Sequence, residues 1–311
     1  MKGIPIMRKI IVGSRRSQLA MTQTKWVIDQ LKKAGAQNEF EIKEIVTKGD
    51  QIVDVQLSKV GGKGLFVKEI QQQMIAGDID FAVHSMKDVP AELPEELYIS
   101  CMPKRVDARD VLICENGYTL ETLPEGAVIG TSSLRRGAQM LAARPDLDIQ
   151  WIRGNIDTRL KKLETEQFNA ILLAKAGLER MGWTDRVDFE ALDADMMVPA
   201  VGQGVLAIES RKDDAEVTAI LQLLHDDVTA KAATAERTFL KAIEGSCHVP
   251  VGGYATVDGD DVTLTGLIAS VDGKEVLRVT KTSSDAVALG KDVADDLLGR
   301  GGREILASVN A

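Results

Sequence analysis

Asp78-Ile-Asp-Phe-Ala-Val-His-Ser-Met-Lys-Asp-Val-Pro90 is the stretch from which the fold is read. Phe81, Ala82 and Val83 form a short apolar run of the length that fills a buried strand, and Pro90 cannot continue ladder pairing. Asp88 therefore falls just past the strand's carboxyl end, next to Lys87. In open α/β sheets that end faces the ligand crevice, so a carboxylate delivered there is a candidate for chemistry. An aspartate before Val-Pro is also an ordinary turn former, and the choice between the two depends on the neighbouring stretches.

Upstream, Arg8 to Val12 reads as a strand. A helix from Ser17 follows, with Ala20, Val27, Ile28 and Leu31 on one face and Gly35 as its stop. The junction Gly13-Ser14-Arg15-Arg16 puts two cations near a helix start, the unfavourable end of the helix dipole unless an anion is bound there. Glu41 to Val46 reads as a second strand, Thr47 to Asp50 as a turn, and Phe66 to Ile75 as an amphipathic helix leading back to Phe81. The glycine-rich loop Ser58-Lys-Val-Gly-Gly-Lys-Gly64 lacks the glycine spacing and the hydroxyl of a Walker loop. It reads either as a plain surface loop or as a device that brings lysines to the crevice.

Downstream, Leu97 to Cys101 and Val111 to Cys114 are further short apolar runs, with Pro103-Lys-Arg-Val between them as a crossover. Ala127-Val-Ile-Gly-Thr-Ser-Ser-Leu-Arg-Arg-Gly-Ala-Gln139 then repeats the plan of the chain's opening: apolar run, glycine, hydroxyl residues, basic pair, helix. That suggests two lobes of similar design. Thr131, Ser132 or Ser133 caps this second helix, leaving Arg135 and Arg136 in its first turn. The plan recurs at Ile149 to Ile152, Arg153-Gly154-Asn155 and a helix from Ile156 carrying Arg159, before the buried strand Ala170 to Ala174. Three such basic junctions describe a cleft for several carboxylates or phosphates, because arginine forks bind such groups in a bidentate manner. A cation not needed at a helix start contributes little to folding, so Arg135 and Arg136 are expected to be nearly dispensable for stability.

Pro199-Ala-Val-Gly-Gln-Gly-Val-Leu-Ala-Ile208 contains a Gly-x-Gly-x-x-Ala string, but its apolar residues follow the glycines, so it is a return crossover with Gln203 at its bend and not a dinucleotide fingerprint. From Asp227 the character changes. A helix to about Ile243, the loop Glu244 to Gly253 with Cys247 and His248, three strands parted by Asp-Gly turns, a helix Ser284 to Leu298 and a short last helix make a small α+β domain.

The chain of 311 residues is long enough for two or three domains. Cys101, Cys114 and Cys247 show no CxxC spacing, which fits a reduced compartment without disulfides and without a zinc site. The first residues have no apolar core or cleavage site of a leader, and no run reaches the length of a membrane span, so the cytoplasm is expected. A net charge of -9 argues against general affinity for nucleic acid. The cation clusters of an acidic chain are aimed at a specific anion.

Gly13-Ser-Arg-Arg-Ser-Gln-Leu-Ala20, Lys59-Val-Gly-Gly-Lys-Gly-Leu-Phe66, Val83-His-Ser-Met-Lys-Asp-Val-Pro90, Gly130-Thr-Ser-Ser-Leu-Arg-Arg136, Arg153-Gly-Asn155 with Arg159, Pro199-Ala-Val-Gly-Gln-Gly204 and the Cys247 loop occur in one order. In these motifs the sequence resembles the porphobilinogen deaminase (hydroxymethylbilane synthase) family over nearly its whole length. The resemblance implies an α/β fold of two lobes like those of periplasmic binding proteins, 1–103 with 200–222 and 104–199. It also implies a third small α+β domain, 223–311, with a three-stranded antiparallel sheet and helices. It implies head-to-tail condensation of four porphobilinogens to linear hydroxymethylbilane with release of ammonia, in tetrapyrrole biosynthesis. A covalent dipyrromethane cofactor, joined by a thioether to Cys247, would prime the chain. The loop departs from the family's usual Gly-Gly-Cys-Gln by Ser246 and His248.

By the same resemblance Asp88 is the catalytic carboxylate, and the binding set runs through all three basic junctions. In the first lobe it comprises Arg15, Ser17, Lys59, Lys63, Ser85 and Lys87. In the second it comprises Thr131, Ser132, Ser133, Arg135, Arg136, Arg153, Gly154, Asn155, Arg159 and Arg180, with Gln203 at the crossover. No metal is expected. The implied partners are porphobilinogen and the growing oligopyrrole, with no nucleic acid and no membrane, and the chain is expected to be a monomer. Two other classes share parts of this pattern: a two-lobed carboxylate-binding protein without catalysis, and a nucleotide or phosphosugar enzyme with arginine-lined helix starts.

Overall fold

Three sheets carry the chain in a computed structural model that describes residues 8–51, 64–243 and 249–309. The first has the order β2-β1-β3-β10-β4, from β1 (Ile10–Arg15), β2 (Phe40–Ile45), β3 (Phe81–Ser85), β4 (Leu97–Cys101) and β10 (Leu206–Arg211). The second has the order β7-β6-β8-β5-β9, from β5 (Asp110–Cys114), β6 (Val128–Gly130), β7 (Asp148–Gln150), β8 (Ala170–Ala174) and β9 (Glu190–Leu192). In each sheet four strands run in one direction, and the remaining one, β10 or β5, runs antiparallel to the neighbour on either side. The two sheets are thus built to one plan. Each antiparallel strand is the first one the chain makes after passing from the other sheet, so 102–109 and 193–205 are paired crossovers.

Parallel order forces helices into the connections and puts the carboxyl ends of β1 and β3 on one edge, those of β6 and β7 on the other. The helix Gln18–Lys33 follows β1 and buries Val27 and Leu31 against Ile10, Val12 and Phe81. The helix Leu134–Ala143 follows β6 and buries Met140 against Ile129 and Leu172. Several elements differ from the sequence reading, β7 among them, which spans Asp148–Gln150 and leaves Trp151 and Ile152 outside the ladder. β1 runs on through Gly13, Ser14 and Arg15, which pair with Lys43, Glu44 and Ile45, so that stretch is ladder and not turn. A Cβ at Gly13 would lie 2.4 Å from Ile79 Cδ1, so a larger residue there would displace the end of that side chain. Thr47 to Asp50 is a turn only in part, since a short helix begins at Lys48. Strand β9 and the helix Ala215–Leu221 have too few residues to stand out by periodicity.

β11 (Val251–Asp258), β12 (Asp261–Ala269) and β13 (Val276–Ser283) form the third sheet, a meander. Helices Asp227–Ala242 and Ala286–Leu297 cover one face, with Phe239 and Val293 fully buried between helices and sheet. The hairpin between β12 and β13 abuts the helix Leu134–Ala143. Gly273 adopts φ 69° there, and a Cβ would meet Ala138 O at 2.5 Å. Two carboxylates at core-facing positions tie the parts together. Glu236, fully buried, accepts from Gly202 N and Ala255 N at 2.7 Å each and pairs with Arg105 at 2.6 Å, joining both crossovers to β11. Asp80 accepts from Ile11 N at 2.7 Å and meets Arg211, which also pairs with Asp214.

Candidate active site

A cleft of about 2380 Å³ lies where the carboxyl ends of the two parallel sets face each other, with Val249, Val251 and the hairpin Ser270–Glu275 of the third sheet along its side. Arg15, Ser17, Lys87, Asp88, Thr131, Ser132, Ser133, Arg135, Arg136, Arg153, Gly154, Asn155, Arg159 and Gln203 all line it. Phe66, Leu141, Ile149, Trp151, Val201 and Leu240 supply apolar wall. Ser85 and Arg180 do not line it. Ser85 is hydrogen-bonded to Gln23 Nε2 at 3.2 Å, and Arg180 donates to Gly204 O at 2.8 Å, holding the second crossover. Lys59, Lys63 and Cys247, with Ser246 and His248, lie outside the described residues.

β3 ends at Ser85 and the chain makes one 3₁₀ turn, Met86–Asp88, before Pro90. Met86 is buried, wedged against Gly202, where a Cβ would sit 2.4 Å from its Cγ. The turn projects Lys87 and Asp88 into the cleft, both partly buried. Among the described residues the Asp88 carboxylate makes no hydrogen bond or ion pair, whereas most acids of the interior are paired. Burial, and then the charge of Arg136, push the Lys87 ammonium down to about 8, against partial opposition from Asp88 and Asp110.

The cations are not equally available. Arg15, at the end of β1, is committed to Asp50 through Nε at 3.1 Å and lies over the Phe66 ring at 4.2 Å. Burial raises Asp50, but Arg15 and Thr47 outweigh it and hold the carboxyl below its ordinary range. Ser17 caps its helix, accepting from Ala20 N at 3.3 Å. Ser133 is the cap of the second lobe's helix, accepting from Arg136 N at 3.4 Å, while Thr131 accepts from Ser133 N at 3.1 Å and Ser132 donates to Ile152 O. Three hydroxyls thus shape one tight turn.

Arg135 and Arg136 are only 4% and 6% exposed and both reach Asp110, which has no exposure at all. Arg135 Nη1 is 2.7 Å from Asp110 Oδ2, and Arg136 donates to Oδ1 through Nε at 2.9 Å and Nη2 at 2.7 Å. Gln203 Nε2 donates to the same Oδ1 at 2.8 Å. Burial pushes the Asp110 carboxyl up, but the two guanidinium groups outweigh burial and hold it well below the usual carboxylate range. The expectation that these arginines are dispensable for stability is therefore corrected: each is one arm of a buried ion triad. Two positive charges against one negative leave the triad with an excess of about one positive charge facing the cleft.

Arg153 and Arg159 extend that excess. Arg159 stands in the first turn of the helix Ile156–Thr165 and donates to Gly154 O at 2.8 Å. Burial, then Arg136 and Arg153, push its guanidinium down to about 10. Gly154 has φ 119°, and a Cβ would lie 2.5 Å from Thr158 Cγ2, so only glycine turns the chain here. A buried cation that also faces like charges is favoured by a bound anion.

The sequence reading missed Asp50, Asp110, Glu236 and Arg237. Asp110 heads a strand whose five residues are all buried, and Glu236 stands among Ala232, Ala235 and Phe239 on the core-facing stripe of its helix. An acid at a core position was the available signal in both cases.

Fold and site define a two-lobed α/β enzyme with a third α+β domain, whose cleft combines excess positive charge, apolar wall and, at the end of β3, the carboxylate of Asp88, unpaired among the described residues. The family model for "Porphobilinogen deaminase, dipyromethane cofactor binding domain" matches residues 10–219, and that for "Porphobilinogen deaminase, C-terminal domain" matches residues 230–299. The chain belongs to the porphobilinogen deaminase family, and is thus a transferase with a dipyrromethane cofactor-binding domain. It is 91% identical over 304 residues to the porphobilinogen deaminase of Exiguobacterium sp. strain AT1b, covering 98% of this chain and all of that one. Identity is 65% to that of Exiguobacterium sibiricum, over 97% of this chain and 99% of that one, and 58% to that of Oceanobacillus iheyensis, over 97% and 98%. Among solved structures the methionine-binding protein MetQ is similar at a TM-score of 0.43 and 12% identity, over 74% of this chain and 94% of that one.

Proposed function

We propose that Asp88 is the catalytic carboxylate of the deaminase reaction, that Cys247 holds the dipyrromethane, and that the cations of the cleft bind the acetate and propionate groups of substrate and growing oligopyrrole. The observation that carries this is the Asp88 carboxylate, unpaired among the described residues on the turn after β3 beside Lys87, in a cleft whose lining cations outnumber its carboxylates. Dipyrromethane fits these residues: its carboxylates match Lys87, Arg153 and Arg159, and its rings match the wall of Phe66, Leu141, Ile149 and Leu240. Once bound, it supplies a nucleophilic pyrrole carbon to which the first substrate is joined.

Porphobilinogen loses ammonia when its aminomethyl C–N bond breaks, and positive charge spreads from the methylene to the pyrrole nitrogen. Asp88, fixed at the strand end, stabilises that charge through the ring N–H. A proton must reach the departing amine and another must leave the pyrrole α-carbon once the new C–C bond has formed. Asp88 can carry both if it enters in its acid form. Its O–H proton goes to the amine as the C–N bond breaks, the carboxylate so formed faces the charged ring, and it takes up the α-carbon proton once the C–C bond has formed. Lys87, Arg153 and Arg159 hold the chain's carboxylates while the reacting end stays at Asp88, which accounts for an acidic protein concentrating cations in one cleft.

Among the described residues no helix is long and apolar enough to cross a membrane. A monomer in the cytoplasm, divided into lobes 1–103 with 200–222 and 104–199 and a third domain 223–311, is the arrangement that accompanies this reading.

Asp88→Asn tests it. The variant should retain fold and substrate binding while turnover falls on the order of a hundred- to a thousand-fold, and further if proton transfer is also lost. Turnover close to normal contradicts the assignment.

A further inference from the structure

Arg237 lies on the helix Asp227–Ala242, outside the cleft, yet its guanidinium is spent on the segment that follows Asp88. Nη2 donates to Pro90 O at 2.8 Å and Ala91 O at 3.3 Å, while Nη1 donates to Val89 O at 3.3 Å and approaches Met86 Sδ at 3.5 Å. The residues gripped run from Met86 to Ala91 and enclose Lys87 and Asp88. Among the described residues no carboxylate is ion-paired with it; burial lowers its pKa, with only partial opposition from Glu209. An arginine kept partly buried without a paired anion, its fork divided over three carbonyls of one short segment, is suited to fixing that segment in place. Pro90 removes one backbone donor, and among the described residues no ladder pairing extends past Ser85, so the segment has few holds of its own.

The opposite side of the segment is also gripped. Met86 is pressed on Gly202 in the second crossover, and its N–H donates to Val205 O at 2.9 Å. The Asp88 turn is thus clamped between the crossover and a helix of the third domain. That helix ends at Ala242, five residues before Cys247. One rigid element therefore connects the Asp88 segment to the stretch leading into Cys247.

We infer that Arg237 is a positioning residue for the reaction: it sets the Asp88 carboxylate relative to the third domain, so that carboxylate and tethered chain meet in one geometry. This rests on the reading of Asp88 as the catalytic carboxylate. Misplacement of a reacting group by about 1 Å costs on the order of a hundred-fold in rate, without loss of substrate contacts. Arg237→Met fills similar space without the fork, and Arg237→Lys keeps the charge but cannot span three carbonyls.

Both holoenzyme variants are purified. Their kcat, KM and intact mass are measured, with hydrogen exchange over residues 86–92 and Asp88→Asn assayed in parallel. Expected is a fall in kcat of about ten- to a hundred-fold for Arg237→Met, intermediate for Arg237→Lys, with KM within about twofold, the covalent two-pyrrole mass retained, and exchange faster in 86–92. Normal kcat in Arg237→Met beside a dead Asp88→Asn overturns the positioning role alone. Full activity in Arg237→Lys also overturns it, since charge would then suffice without the fork. A raised KM at unchanged kcat assigns Arg237 to binding and contradicts the inference. Should Arg237→Met fail to fold, Arg237→Lys and the exchange measurement decide. An active Asp88→Asn removes the reading on which the inference rests, a separate outcome.

Discussion

Arg136 donates to a single oxygen of Asp110 through both Nε and Nη2, at 2.9 and 2.7 Å, with the carboxylate wholly buried. A cation that looks like a surplus at the first turn of a helix is thereby part of the interior. The same group helps leave the cleft with an excess of positive charge, because Arg135 shares the one carboxylate. Interior pairing and the positive charge of the cleft thus rest on the same three side chains.

Asp110→Asn should therefore destabilise the fold by roughly 3–5 kcal/mol, the usual result of removing one partner from a buried ion pair and leaving the other charged. Arg136→Leu should also lose stability, in contrast to a solvated helix-start arginine. Urea unfolding monitored by circular dichroism checks both. A midpoint unchanged for either variant would mean the triad is not holding the second lobe.

Acid should expose the same triad. The folded Asp110 carboxyl titrates well below its ordinary value of about 3.9, so its contribution is fully present above that value and is lost as pH falls from about 4 towards the folded pKa. Stability measured from pH 6 down to 2 should drop in that window in the wild type, and by clearly less in Asp110→Asn. Parallel curves for the two proteins would show that Asp110 is not the group responsible.

Lys87 provides a pH signature inside the cleft. An amine titrating at about 8 is half neutral there, whereas an ordinary lysine is less than about 1% neutral at that pH. Brief acylation at pH 8 should therefore label Lys87 ahead of ordinary lysines, and porphobilinogen should protect it by restoring the charge with a bound carboxylate. Peptide mapping gives the order of labelling. Equal labelling with and without substrate would place Lys87 outside the binding set.

Much of this was legible in the residues. Phe81 to Val83 with Pro90 fixed where β3 stops, and the repeat of glycine, hydroxyl and basic pair at Gly13 and Gly130 foretold two sheets of one plan. The partners of the cations were not legible. Asp50 and Asp110 are 35 and 25 residues from Arg15 and Arg135, and such pairings depend on strand order, which periodicity does not encode. Gly13 to Arg15 read as the junction between strand and helix, yet a partner strand carries the ladder through them by backbone pairing. Arg237 escaped notice because its acceptors are backbone carbonyls, and these leave no mark in a sequence.

Two thiols should be silent. Burial pushes Cys101 up to about 12 and Cys114 up to about 11, with Glu190 adding to the latter, so neither forms thiolate near neutral pH. In the folded protein a thiol reagent should leave both unmodified and reach them only on denaturation. Fast reaction of either in the native state would contradict their burial.

The account turns on a covalently held dipyrromethane at Cys247, and the intact mass of denatured, active protein tests that most directly. The predicted result is the chain mass plus one two-pyrrole unit, with the excess on the peptide containing Cys247 and lost, together with activity, in Cys247→Ala. An active enzyme at the bare chain mass, or the excess on Cys101 or Cys114, would contradict it.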